Sequence, residues 1–200
     1  MTKKIKKAFT FFLSFLLLNA TLLAQSVKTN LKQGISNYYK VDDGGRWIIG
    51  ERIVMNLNGQ DVKGYYGNAA QGIDEYYFEG KLKGNVITGT KYELYNGTTT
   101  SIITMNVLQK SISMVSRFGK VSIPLDNQDL FKDKVFTIYE TPDFNATSIK
   151  IDYDLSDKGF SILEIGKMER DLTNPGYFNI WYKIKNNEME GWVFGLVSVF

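Results

Sequence analysis

Acid–base chemistry in this chain would have to come from carboxylates, because the sequence contains neither histidine nor cysteine. That composition excludes Ser-His-Asp and Cys-His catalytic centres, together with zinc, copper and haem sites that use His or Cys ligands. A serine could use lysine as its base, but no S-x-x-K motif occurs. The remaining candidates are the carboxylates of a glycosidase-type acid and base pair, namely Glu51, Asp74, Glu75, Glu79 and Glu93. No spacing singles out a pair among them, so we expect no enzyme.

Oxygen ligands at alternate positions in residues 152–157 invite a calcium interpretation, because such loops begin in this way. The match then fails, since Gly159 comes too late for the sharp turn and Leu163 stands where a bidentate glutamate is expected. No glycine-rich phosphate-binding motif occurs either. The sequence therefore predicts no metal site and no cofactor.

The first residues have the pattern of an export signal. Four lysines lie within residues 3–7, an apolar run covers residues 8–23, and Ala24 offers a small residue at a cleavage site before Gln25. We therefore expect residues 1–24 to be a signal peptide and the protein to be exported to the periplasm or beyond the cell. The alternative is a retained anchor, because the run is only slightly shorter than the roughly 18–20 apolar residues that span a bilayer.

Cleavage changes the charge balance. The chain has 24 basic and 21 acidic side chains, and the signal peptide removes four lysines and no acid, which leaves 20 against 21. The calculated pI of 8.8 therefore owes much to the signal peptide. It gives no reason to expect a nucleic-acid partner, and after cleavage no membrane-spanning segment is expected.

Strand signals dominate the rest of the chain. After a lead-in segment at 25–44, residues 45–123 alternate β-branched and aromatic residues with turn pairs such as Asn58-Gly59 and Asn96-Gly97. This pattern predicts an antiparallel meander of six or seven strands, curled towards a barrel. On one strand, Tyr76, Phe78 and Leu82 share a face. Residues 124–133, which begin with Pro124, read as a linker.

Residues 134–200 read as five short strands in a small all-β domain. This segment resembles the bacterial SH3 family, and the resemblance is carried by Val135–Tyr139, KGFSIL at 158–163, WYKI at 181–184 and EGWV at 190–193. The insertion at 168–177 departs from that pattern. The resemblance implies a small β-barrel that recognises wall material, peptides or neighbouring domains without catalysis.

Aromatic residues are the candidate ligand-binding groups of this C-terminal domain. If Ile184 and Val193 face the core, strand alternation turns Trp181 and Trp192 outwards. Together with Tyr139 and Tyr177, they would form a platform for a sugar ring or a peptide. The alternative is that the two tryptophans cover the ends of the small barrel or pack under the N-terminal domain.

The sequence thus predicts an exported, non-catalytic binding or adaptor protein whose partner is a cell-wall component, a peptide or another protein. Two alternatives stay open. One is a carboxylate-only glycosidase acting on wall polysaccharide, and the other is a carrier that holds a small apolar ligand inside the N-terminal barrel.

Overall fold

A computed structural model describes residues 32–43, 48–69, 74–108, 110–116, 119–126, 130–131, 134–152 and 159–197. The predicted signal peptide and most of the rejected calcium segment lie outside these residues. Every regular element of the described part is a β-strand, and the fold is all-β, as predicted. None of it forms an apolar helix of membrane-spanning length.

The N-terminal sheet contains eight antiparallel strands in sequence order. Its strands are β1 (Gly34–Asp43), β2 (Ile48–Asn58), β3 (Asp61–Asn68), β4 (Asp74–Lys83), β5 (Val86–Glu93), β6 (Thr99–Val107), β7 (Ser111–Ser116) and β8 (Gly119–Pro124). A bridge between Tyr38 and Leu125 brings its two edges together, so the sheet is nearly closed. The predicted meander is confirmed.

The predicted count of six or seven strands is wrong, because it missed both edges of this sheet. β1 lies in the segment read as a lead-in, where alternation between polar and apolar residues is weak. β8 ends at Pro124, the residue at which we placed the linker. Both strands instead complete the sheet, and the Asp126 amide donates a hydrogen bond to the Asn37 carbonyl at 2.8 Å where its edges meet.

The inner face of this sheet is filled with apolar side chains. Ile53, Met55 and Phe78 have no exposed surface, and Leu82 is also buried. Phe78 fits because Gly64, on the neighbouring strand, has no side chain, and a Cβ there would overlap the Phe78 ring. The predicted shared face of Tyr76, Phe78 and Leu82 is therefore confirmed, since all three belong to or pack against the same core.

The C-terminal sheet contains five antiparallel strands in the order β10-β9-β13-β12-β11. These are β9 (Phe136–Tyr139), β10 (Ser148–Ile151), β11 (Ser161–Arg170), β12 (Phe178–Lys185) and β13 (Glu190–Phe194). Five strands are what the sequence predicts. Membership of the bacterial SH3 family stays a prediction.

The two sheets share a second core. The outward-facing residues Val54, Tyr65 and Tyr77 of the N-terminal sheet pack in one apolar cluster with Tyr182 and Ile184 of the C-terminal sheet. Leu130 and Phe131, from the predicted linker, are buried in the same cluster. Residues 31–200 accordingly form one compact unit, and the two sheets are packed against each other through their side chains.

Candidate functional site

Trp181, the first residue of the predicted platform, is fully buried. The prediction of which side of the sheet carries Trp181 is correct, because Ile184 and Val193 point into the shared core and Trp181 lies on the opposite side. The expected exposure is wrong, because Phe144, from the loop after β9, covers the indole at a ring distance of 5.0 Å. The indole N–H is satisfied as well, since it donates to Glu169 Oε2 at 2.7 Å.

Trp192 and Tyr139 lie beside this buried tryptophan. The two residues pair across neighbouring strands, and both are partly exposed. The Tyr139 ring meets Trp181 edge-on at 5.3 Å, and the Trp192 ring lies over Gly166, where a Cβ would come within 2.8 Å of it. We call Phe144, Trp181, Tyr139 and Trp192 the outer aromatic cluster. Because Tyr139 and Trp192 are only partly exposed, only parts of these two rings are available to a ligand.

Tyr177, the fourth predicted residue, lies apart from the other three. Its ring meets Tyr95 edge-on at 5.1 Å. Tyr95 belongs to the connection between β5 and β6, so this pair joins the two sheets. The Phe178 amide donates to the Leu94 carbonyl at 2.5 Å, and the Phe178 ring lies over Gly97. The predicted insertion therefore packs against the N-terminal sheet.

The tip of this insertion is held by a single carboxylate. Asp171 Oδ1 accepts hydrogen bonds from the Thr173 amide at 2.8 Å, the Thr173 hydroxyl at 2.7 Å and the Asn174 amide at 3.2 Å. Partial burial tends to raise the pKa of Asp171, but the hydrogen bonds from Thr173 and Asn174 outweigh it and lower that pKa. The turn thereby fixes the segment that carries Tyr177.

Tyr95 and Tyr177 stand over a cleft of about 180 Å³. The remaining residues that line it come from the start of β4 and the end of β5, and they are Asp74, Glu75, Tyr76, Glu93 and Leu94. We call this the acidic tyrosine cleft. It combines three carboxylates with three tyrosine rings, so it offers both hydrogen-bond acceptors and flat apolar surfaces.

One carboxylate of the cleft, that of Glu75, accepts a hydrogen bond from a tyrosine of the shared core. The Tyr65 hydroxyl donates to Glu75 Oε1 at 2.6 Å. Burial, and then the charge of Glu75, raise the pKa of Tyr65 well above its ordinary value, so the hydroxyl keeps its proton and stays a donor. The side chain of Glu75 is thereby oriented by the shared core.

A lysine partly balances the charge of the cleft. The Lys91 ammonium lies 4.0 Å from the centre of the Tyr76 ring. Burial lowers the pKa of Lys91, while the nearby Asp74 and Glu93 carboxylates oppose that change. Among the described residues, one ammonium stands against three carboxylates, and this negative balance favours ligands that carry cationic groups or many N–H and O–H donors.

The structure brings together three of the five candidate carboxylates and separates the other two. Glu51 is buried in the N-terminal sheet, where Asn68 Nδ2 donates to it at 2.9 Å. Glu79 lies further along β4 and accepts from the hydroxyls of Tyr77 and Tyr92. Asp74, Glu75 and Glu93 line the cleft. In the described parts of the chain, no group of acidic residues has an arrangement that would hold a metal ion.

Comparison with known proteins gives this chain no relative. No protein-family model matches it, no curated protein is significantly similar, and no solved structure matches the fold. The ligand class of the cleft therefore has to follow from the chemistry of the residues that line it. Sequence reasoning identified Tyr177 but missed Tyr95, whose only signal is its position directly before the Asn96-Gly97 turn.

Proposed function

We propose that this protein is an exported, non-catalytic binding protein of the cell envelope, and that its ligand enters the acidic tyrosine cleft. The observation that carries the proposal is the meeting of Tyr95 and Tyr177 over three carboxylates. Both tyrosines present surface to solvent, with exposed fractions of 63% and 39%. Large aromatic residues at the rim of a pocket supply much of the contact energy in binding sites.

The chemistry of the cleft indicates the class of ligand. Carboxylate oxygens accept hydrogen bonds from hydroxyl and ammonium groups, and tyrosine rings give flat apolar contact to a sugar face or an alkyl chain. Wall material offers both kinds of group, because it combines sugar rings with amine-bearing peptides. A negatively charged cleft would also favour such amines over acidic ligands.

The proposal changes the role of the SH3-like region. That region supplies Tyr177 through its insertion, while the N-terminal sheet supplies Tyr95 and all three carboxylates of the cleft. Recognition would then belong to both sheets together. The outer aromatic cluster offers less free surface to a partner protein or peptide, because the rings of Tyr139, Trp181 and Phe194 are already packed against one another.

Co-sedimentation with purified cell-wall material tests this proposal. We expect the parent protein to sediment and the Tyr95→Ala/Tyr177→Ala variant to lose at least about tenfold in apparent affinity, which is the effect of removing hot-spot aromatics. Leu172→Ala is the matched control, because Leu172 is exposed in the same insertion and does not line the cleft. Equal sedimentation of all three proteins would refute the cleft as the binding site.

A carboxylate-only glycosidase is the second candidate, and the cleft gives it one specific support. Asp74 and Glu75 of β4 and Glu93 of β5 line the same cavity, and a glycosidase needs its acid and its base in one cavity. Glu93→Gln in a hydrolysis assay on wall polysaccharide separates the two proposals. A binding protein releases no reducing ends with or without the substitution, whereas a glycosidase releases them and loses that activity in the variant.

The carrier alternative has less support in the packing. Eight strands are enough for a barrel that encloses a ligand, but the inward-facing residues fill the interior, and Ile53, Phe78 and Ile87 have no exposed surface at all. An apolar fluorescent probe tests this alternative, because a carrier would bind the probe in the folded state and a filled barrel would not.

A further inference from the structure

The acidic tyrosine cleft is small for a ligand site. Its volume is about 180 Å³, whereas pockets that enclose drug-sized ligands measure roughly 300–1,000 Å³. The cleft therefore has room for one small group of a larger ligand, such as a side chain or a single sugar residue. Which group it takes depends on the carboxylates and rings that it presents.

Glu75 is a carboxylate of the cleft with one oxygen fixed and the other open. Its Oε1 accepts the hydrogen bond from the Tyr65 hydroxyl at 2.6 Å, and no described residue donates to its Oε2. Tyr65 has no exposed surface, so the shared core holds this carboxylate in one orientation. A pre-oriented acceptor binds a donor without first losing conformational entropy of its own.

The lysine beside the cleft lies on the other face of the sheet from Glu75. Lys91 contacts the ring of Tyr76, and the side chains of Tyr76 and Glu75, neighbours on β4, point to opposite faces. On the face of Glu75, Arg52 stands across Gly67 in the strand register, but the two form no ion pair in the described structure. Among the described residues, no cationic side chain is therefore paired with Glu75.

The tyrosine rings supply the second half of the site. The Tyr76 ring is already engaged, because it stacks with Tyr66 at 5.8 Å and lies 4.0 Å from the Lys91 ammonium. This contact places an ammonium against a ring that lines the same cleft. The rings of Tyr95 and Tyr177 are more exposed and meet only edge-on. The face of such a ring attracts a cation through its quadrupole.

We propose that the acidic tyrosine cleft binds a primary ammonium group of its ligand, held by Glu75 Oε2 and the rings of Tyr95 and Tyr177. This inference rests on the proposed function, since it concerns the same cleft, and it names the group that is recognised. A neutral amide or hydroxyl also hydrogen-bonds to a carboxylate, but an ammonium gains both a charge-assisted hydrogen bond and the attraction of the rings. Its source is either an amine-bearing peptide side chain or an unacetylated amino sugar.

Two matched pairs of soluble probes test the inference by calorimetric titration of the purified protein. One pair is Nα-acetyl-lysine amide and its Nε-acetylated form, and the other is glucosamine and N-acetylglucosamine. Within each pair a single acetyl group removes the charge. At mildly acidic pH and constant ionic strength, we expect the charged member of at least one pair to bind at least about tenfold more tightly than its neutral partner. Binding of the lysine derivative would assign a peptide source, and binding of glucosamine would assign a sugar source.

Glu75→Gln tests the carboxylate itself. It should lower the affinity for the charged probe at least about tenfold, because the amide keeps the shape of the side chain but not its charge. Its carbonyl oxygen can still accept from Tyr65, and the melting temperature checks that the fold is kept. Glu164→Gln is the matched control, since Glu164 is an exposed carboxylate of β11 that does not line the cleft. Glu93→Gln should have a smaller effect, because Lys91 shares its face of β5.

The inference is overturned if no probe binds saturably, if the charged and neutral members of both pairs bind equally, or if Glu75→Gln binds the charged probe as tightly as the parent. Co-sedimentation keeps this failure apart from a failure of the proposed function. A protein that sediments through Tyr95 and Tyr177 but does not distinguish the probes would bind wall material through another group. Ammonium-selective binding without sedimentation would support the ammonium site and reject wall material as the ligand.

Discussion

The interior of the N-terminal sheet and the junction between the two sheets are both well buried, yet they differ in how their polar groups are satisfied. The interior is built around residues such as Ile53 and Phe78, and its buried Glu51 accepts a hydrogen bond from Asn68. The junction contains the buried Tyr182 hydroxyl, which has no partner among the described residues.

This difference separates residues that stabilise the fold from residues available for function. An apolar interior needs only complementary volume, whereas a buried hydroxyl or guanidinium costs free energy unless it is hydrogen-bonded. Two buried groups of the junction, the Tyr182 hydroxyl and the Arg52 Nε, have no hydrogen-bond partner among the described residues. The acidic tyrosine cleft lies at the edge of the junction, since it includes Glu75, which accepts a hydrogen bond from Tyr65 of the shared core.

The largest effect is expected inside the N-terminal sheet. Phe78→Ala should lower the free energy of unfolding by about 3–5 kcal/mol, because it leaves a cavity where the ring packs against Gly64. Urea unfolding followed by circular dichroism measures the change. Tyr95→Ala, at an exposed position, is the control and should stay within about 0.5 kcal/mol of the parent. A similar loss in both variants would contradict the distinction between the two regions.

An intermediate effect is expected for one tyrosine hydroxyl of the junction and none for the other. Tyr65→Phe should destabilise the protein by about 1–3 kcal/mol, because it removes the 2.6 Å hydrogen bond to Glu75. Tyr182→Phe should be neutral or slightly stabilising, because its buried hydroxyl has no hydrogen-bond partner in the part of the chain that the structure describes. The same urea experiment measures both. If the two variants lost equal stability, Tyr182 would have to be hydrogen-bonded after all.

The smallest effect is expected at the tip of the insertion. The pKa of Asp171 is lowered in the folded protein, so its ionised form stabilises the fold above the unfolded-state pKa of about 3.9, and this contribution is lost as the pH falls through the folded-state value. Asp171→Asn should therefore cost less than about 1 kcal/mol near neutral pH, and nothing in strong acid. Thermal unfolding at several pH values measures the difference. A cost independent of pH would show that charge plays no part.

Local patterns predicted much of this fold. Alternation along β4 identified the face of Phe78, and the Asn58-Gly59 turn is formed with Gly59 at a φ of 62°. The edge strand β1 was missed because Gly34–Asp43 mixes polar and apolar residues, and its burial depends on partners far away in the chain. The exposure of Trp181 was misjudged for the same reason, since Phe144 covers it from a loop.

The candidate site was only half predictable. Tyr177 was predicted as a neighbour of the two tryptophans, from which the structure separates it, and Glu75 was one of five candidate carboxylates that no spacing paired. Nothing in the sequence indicated Tyr95. Tyr95 and Glu75 meet Tyr177 only because the insertion packs on the connection between β5 and β6. The burial of Arg52 was equally hidden, because it follows from what surrounds the side chain in the folded protein.

The most direct test of the central claim is a titration of the labelled protein with soluble fragments of cell-wall material, followed by amide chemical shifts in NMR spectra. Binding in the acidic tyrosine cleft predicts that the largest shift changes fall on residues 74–76, 93–95 and 177, which line it. Residues of the outer aromatic cluster, such as Tyr139 and Trp192, should change little. The largest changes at Tyr139 and Trp192, with none around Tyr95 and Tyr177, would contradict the account.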